Sequence, residues 1–193
     1  MAILTNFGVP TGVAGDSAIT LMPKLQYRFR VTFNGLGDTK GELVTKNVIS
    51  ATRPGLDHDD ITIDSYNSKI RLAGKHMWQD ITVVLRDDTN NDVINAIKQQ
   101  MNNQVNHATS SSPLAGSDYK FSMTIDTLDG SQSTSPTNGV IDSWIVVGAF
   151  IPSATFGDLN YATSDVVQVS MTIRFDHAQL QTNFGASGKP ASV

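Results

Sequence analysis

The groups in this 193-residue chain best able to do chemistry are its four histidines and eighteen Asp and Glu residues, since it has no cysteine. His58, His76, His107 and His177 are scattered along the sequence, with no His-Glu-x-x-His and no paired ligand spacing, so neither zinc nor a histidine base is indicated. Asp57-His58-Asp59-Asp60 offers carboxylate oxygens suited to a hard cation. It lacks the spaced ligands and closing Glu of a calcium loop, and is read as a solvated turn. Asp126-Thr127-Leu128-Asp129-Gly130 resembles half of such a loop, yet Asp-Gly after an alternating strand supplies the positive φ that a hairpin needs. Gly74-Lys75 runs into His76 instead of Ser or Thr and has no upstream glycine, and no Gly-x-Ser-x-Gly elbow occurs. The expectation is a non-enzyme with no catalytic residue, metal or cofactor.

What remains is architectural. Hydrophobic residues make up 39% and charged residues 17%, a globular composition with a neutral surface rich in Ser, Thr, Asn and Gln, suited to contact with other subunits. A formal charge of −4 lacks the basic footprint of a protein that grips nucleic acid, so any DNA is not held tightly. Without cysteine there is no disulfide framework, and stability must come from packing and assembly. Met1 to Pro10 show no basic n-region, and no apolar run is long enough to span a bilayer. A soluble chain without stable membrane association is expected.

The elements follow from periodicity. Residues 1–23 read as an N-terminal arm, 24–177 as one β-rich domain and 178–193 as a C-terminal tail. Leu25, Tyr27, Phe29, Val31 and Phe33 alternate with polar residues up to the Asn34-Gly35 turn, which predicts a half-buried antiparallel strand. Residues 42–52 are β-prone, Pro54-Gly55 and the acidic cluster mark a polar loop, and Ile61-Thr62-Ile63 resumes the alternation. Lys69–Leu72 and Ile81–Arg86 read as strands flanking Gly74, a place for a bend or bulge. Val93, Ile94, Ile97, Met101 and Val105 share one face of a helix near 91–106, with Asn95, Lys98, Gln99 and Asn102 opposite. Thr89 to Asn91 are its cap candidates, with Asp87, Asp88 and Asp92 where the dipole is positive. Ser-rich loops at 109–118 and 131–139 flank the Phe121–Ile125 strand. Trp144–Ile151 is apolar on both faces, which predicts cover on both sides, one of them by a neighbouring subunit. Val167 to Phe175 alternates again. The sum is about seven strands and one helix, a mainly β antiparallel sandwich whose edges are open to self-association.

Asn67-Ser68-Lys69-Ile70-Arg71-Leu72-Ala73-Gly74-Lys75-His76-Met77-Trp78-Gln79-Asp80-Ile81-Thr82-Val83 resembles the central motif of the inner tail tube proteins of contractile bacteriophages: a basic-aliphatic strand, an Ala-Gly bend and a Thr-Val strand. The likeness extends outward to Leu25–Phe33, to Val48–Gly55 and to Asp87-Asp88 leading into one helix. It covers most of residues 24–176. The chain departs from that pattern in its two Ser-rich loops and in a helix without aromatics.

The resemblance implies a β-sandwich subunit forming hexameric rings, each copy giving four strands to a continuous inner barrel of about 24. With strands about 4.8 Å apart and tilted about 40°, that barrel closes at a backbone diameter of roughly 48 Å, wide enough for duplex DNA. It implies as partners further copies, tail sheath, baseplate and tape measure proteins, and transient non-specific passage of DNA. The location implied is the virion tail, after synthesis as a soluble chain in the host cytoplasm. Lumen candidates are Lys69, Arg71, Thr82, Gln168, Ser170 and Thr172, and an acidic bore is the hypothesis, because a polyanion must slide. Inter-ring candidates are Arg53, Asp57, Asp59, Asp60 and Tyr66, together with both terminal segments. The alternatives are the tube of a secretion system or phage-like bacteriocin, a β-sandwich carbohydrate-binding module and, third, an enzyme.

Overall fold

A computed structural model describes residues 23–39, 41–130, 139–162 and 164–182. Residues 1–22, 131–138 and 183–193 lie outside it, and with them the expectations for most of the N-terminal arm, the second Ser-rich loop and most of the C-terminal tail. The described elements are β1 (Phe29–Asn34), a 3-10 turn at Leu36–Thr39, α1 (Gly41–Lys46), β2 (Val48–Ala51), β3 (Leu56–Ser65), β4 (Ser68–Trp78), β5 (Ile81–Arg86), α2 (Asp92–Gln104), a second 3-10 turn at Gly116–Asp118, β6 (Phe121–Leu128), β7 (Val140–Thr155), β8 (Gln168–Arg174) and β9 (His177–Thr182).

All strand pairs are antiparallel and, apart from β3 and β4, they join in the order β1-β6-β7-β8-β5-β2, with β9 also on β7. The sixteen-residue β7 is shared by two sheets. Its first part lies between β6 and β9, and its last residues, Phe150 to Thr155, pair with β8. The change of partner needs a break in the pleat, which Gly148 supplies at φ +72, beside the register slip opposite Phe121 and Met123.

The two sheets share one core, because each strand sends alternate side chains to it. Val31 and Phe33, Met123 and Ile125, Val146 and Ile151 meet Ile81, Val83, Leu85, Val169, Met171 and Ile173 there. α2 contributes Val93, Ala96 and Ile97, with Ile94 and Met101 partly buried, while Val105 stands outside the helix and exposed. The helix start differs from expectation in its chemistry. Asn91 lies in the left-handed region without a side-chain cap, and Asp88 Oδ1 accepts the Asp92 N–H at 2.8 Å. α2 is also bolted to the sheet by amides: Gln104 Nε2 donates to the Ile151 carbonyl at 2.8 Å and its Oε1 accepts the Ile151 N–H at 2.9 Å. Ile151 falls in the irregular interval between Phe150 and Ser153, where β8 does not reach it, so the glutamine replaces a missing ladder rung.

Several local expectations are corrected. Residues 41–46 form α1 and not a strand, since Val44 is drawn under the core and Thr45 Oγ1 can donate to the Gly41 carbonyl one helical turn back. The first strand begins at Phe29, four residues later than the alternation suggested, with Tyr27 exposed in a turn. Asp57 to Asp60 lie within β3 and not in a turn, because β4 pairs with them. His177–Thr182 forms β9 on β7, so the described residues hold nine strands and two α-helices. None of their helices is long and apolar enough to cross a membrane.

Candidate functional site: a protruding ribbon and a polar wall

β2 runs into β3 and β4 runs into β5, and the four make one antiparallel ladder that leaves the body. Val48 pairs with Leu85 and Ala51 with Val83; the Thr52 N–H then donates to the Thr82 carbonyl at 2.9 Å and the Gln79 N–H to the Gly55 carbonyl at 2.9 Å. Pairing continues from Leu56 and Trp78 to Ser65 and Ser68. The outer part, β3 with β4, is a separate two-stranded sheet about 34 Å long at 3.4 Å per residue. Every β3 residue is exposed, as is all of β4 except Gly74 and Trp78.

The ribbon has two unlike faces. Ile61 pairs with Leu72 and Ile63 with Ile70, which groups four aliphatic side chains on one face, and these are 49%, 49%, 47% and 52% exposed in that order. The other face holds the ion pairs Arg71–Asp60 and Lys69–Asp64, both 3.4 Å and well exposed. Between His58 and Asp60 the register slips, so that Asp59 faces both Gly74 and Lys75, the bulge expected at that glycine. A Cβ at Gly74 would sit 3.0 Å from the Asp59 carbonyl oxygen. Tyr66 stands at the tip, fully exposed, with φ 33.

At the root, Trp78 gathers aromatic neighbours: Phe175 at 5.6 Å, and His76 and His177 at 6.1 Å, with His58 at 6.2 Å from His76. Two histidines that are remote in sequence, His76 and His177, therefore meet at one indole, and His58 adjoins the first of them. No group of three or more His, Cys, Asp or Glu among the described residues is arranged to hold a metal ion. Beside this knot, Arg53 donates to Thr127 Oγ1 at 3.0 Å, and Lys24 pairs with the buried Asp142. Burial opposes ionisation of Asp142, but hydrogen bonds from Lys24 and Thr127 and the charges of Lys24 and Arg53 outweigh it, holding the carboxyl below its usual range. Arg174 binds Asp80 through two hydrogen bonds of 2.9 and 2.8 Å, which lowers the Asp80 pKa and raises that of the arginine.

The expected site residues divide accordingly. Asp57, Asp59, Asp60 and Tyr66 lie on the ribbon with Lys69 and Arg71, whereas Arg53 turns back to the body. Thr82, Gln168, Ser170 and Thr172 share one face of the β7-β8-β5-β2 sheet, in cross-strand rows. Thr82 pairs with Thr172 and Thr172 with Ser153; Ser50 pairs with Val84, Val84 with Ser170 and Ser170 with Thr155. Hydroxyls dominate that face. Its charges are Arg86 and the Arg174–Asp80 pair, so the negative charge of the chain does not reside on the strands of this wall; four carboxylates, Asp57, Asp59, Asp60 and Asp64, lie instead on the ribbon. Among the described residues the sheet has two free edges, β2 and the Ser153–Thr155 end of β7.

A groove that no sequence pattern marks lies at the far end of this sheet. It measures about 950 Å³ and is lined by Ile49, Arg86, Val167 and Gln168 under a loop that includes Leu159, Tyr161, Asp165 and Val166. The only sequence signal is a set of apolar residues without period between two strands, and they remain exposed.

No protein-family model matches the chain, and no curated protein matches its sequence significantly. Solved structures do resemble it. The anti-feeding prophage cap, the AFP tube terminating cap, superposes with a TM-score of 0.67 at 21% identity, over 89% of this chain and 99% of that one. The sheath/tube terminator of the PVC extracellular contractile injection system gives 0.62 at 18%, over 85% and 100%. A chain of the PVC sheath–tube complex gives 0.60 at 18%, over 83% and 93%. The likeness is one of fold: this chain shares the architecture of these three solved structures.

Proposed function

We propose that the chain is a structural subunit whose copies close into hexameric rings and stack into the inner tube of a contractile phage tail, through which DNA passes. The observation that carries this is the four-stranded sheet, polar on one face, buried on the other and, among the described residues, unpaired at both edges. An antiparallel sheet with open edges invites another copy of itself. Joining β2 of one copy to the Ser153–Thr155 end of β7 in the next satisfies both edges at once, and six such sheets make a barrel of about 24 strands. The hydroxyl-rich face then forms the bore, offering a polyanion few cations from which to release counterions. The low charge of that wall replaces the acidic bore as the reason for sliding. Sheath, baseplate and tape measure proteins are the outer, basal and lumenal partners in this reading, and the virion tail is its location.

The test is electron microscopy of the purified full-length chain. Rings of six copies and tubes with a bore compatible with duplex DNA are expected. Dispersed single copies at high concentration would overturn the proposal. A second reading has its own support, since two of the similar structures are terminators: the chain then caps a tube. Under that reading it forms single rings that never elongate and that bind the end of a preformed tube.

A further inference from the structure

We propose that His58 and His76 form a two-point site for a divalent cation of the zinc class at the root of the ribbon, where the ion ties β3 to β4. The two residues are directly opposite in the antiparallel register, so their side chains leave the ribbon on the same face. Their rings stand 6.2 Å apart, centre to centre. With metal–nitrogen bonds of about 2.1 Å, two imidazoles on one ion have ring centres at most about 6.4 Å apart, and about 5.2 Å apart at the tetrahedral angle. Closing that difference takes a small side-chain rotation, which both exposed residues are free to make.

The surroundings favour a cation. A Cβ on Gly74 would meet Asp59 Cβ at 3.1 Å and Ile61 Cγ1 at 3.2 Å, and Gly74 shares the face of His76 two residues on. The bulge thus puts Asp59, and its negative charge, on the histidine side of the ribbon. Lys69, Arg71 and Lys75, the cations of β4, alternate to the other face and do not compete with the ion. Trp78, edge-on to His76 at 6.1 Å and packed on Phe175, braces one side of the pair. His177 lies beyond that indole, 6.1 Å from it, and belongs to the body rather than to the pair. No third protein ligand is arranged among the described residues, so water completes the coordination shell and the site is a strap, not a closed structural centre. Imidazole nitrogen selects Zn²⁺, Ni²⁺ or Cu²⁺ over Mg²⁺, which prefers oxygen. The strap falls where it matters: the register slips just beyond His58, and the outer sheet has two strands. Such a ribbon is marginal in water, and an ion bound only by the paired histidines stabilises it by mass action.

The test uses the full-length chain without a polyhistidine tag, stripped of metal by chelation and titrated with zinc chloride while the histidine ring resonances are followed by NMR. One saturable equivalent per copy is expected, shifting the rings of His58 and His76 and leaving His107 in place, with no response to magnesium at the same concentration. His58→Ala and His76→Ala, both at exposed positions, should each weaken binding about tenfold or more and leave the metal-free thermal melt unchanged, while His177→Ala stays within about twofold of wild type. In hydrogen exchange, zinc should slow the amides of residues 56–58 and 76–78 in wild type and in neither ribbon variant. Zinc that shifts no ring up to about 1 mM, binding that survives both ribbon substitutions, or binding lost equally in His177→Ala would each overturn the proposal. The wild-type ring shifts decide the matter even if a variant fails to fold. Dispersed single copies suffice for every arm, so a chain that never forms rings refutes the tube and leaves this site standing.

Discussion

Lys24 and Arg53 come from the two segments that lead into β1 and β3, and both direct positive charge at Asp142, which is 5% exposed on β7. Asp142→Asn removes a carboxylate whose neighbours then lose their counter-charge, and we expect about 1–3 kcal/mol of destabilisation near neutral pH. The pH dependence has a defined sign. A carboxyl held below its usual 3.8 adds stability above its unfolded value and loses it as pH falls through the lower folded value. The gap between wild type and Asp142→Asn should therefore narrow as pH drops below about 4, measured by urea denaturation from pH 3 to pH 6; a gap constant across that range would discount the ion pair. Asp80 is too exposed, and its pair with Arg174 too accessible to water, to add appreciably. None of this was legible beforehand. Lys24, Arg53, Thr127 and Asp142 are far apart in sequence, and no local pattern marks a long-range pair.

Elements with one face in the core of their own chain were legible, because burial imprints a period on them. β5, β6 and β8 alternate as expected, and the α2 stripe placed Val93 and Ile97 correctly. β3 escaped because neither of its faces touches that core, so Asp57 to Asp60 resembled a turn although β4 pairs with them. Gln104 escaped for the converse reason: a polar residue on a helix reads as solvent-facing, yet this one completes the backbone of Ile151. Gln104→Ala strands both the Ile151 N–H and its carbonyl, and should cost about 1–3 kcal/mol by chemical denaturation. Gly148→Ala places a Cβ at φ +72 against the Asp176 carboxylate. The left-handed conformation alone should cost about 1–2 kcal/mol, and a thermal melt equal to wild type would show that β7 can change sheets without the glycine.

At the scale of the whole molecule, one copy is stable in some parts and incomplete in others, and hydrogen exchange can separate them. Ile81, Val83 and Leu85 are fully buried between β2, β8 and the core, so the β5 amides should open only with global unfolding. Among the described residues the ladder beyond Leu56 and Trp78 has no third strand and no buried side chain. In dispersed copies the Ile61–Ser65 and Ser68–Leu72 amides should exchange orders of magnitude faster than those of β5, because a two-stranded ribbon supplies little stability of its own. Assembly should reverse this selectively: the same amides gain protection in tubes while β5 and β8 change little. Ribbon amides as slow as those of β5 in dispersed copies would mean that the ribbon is self-sufficient, and its exposed isoleucines would then no longer require a second copy to cover them.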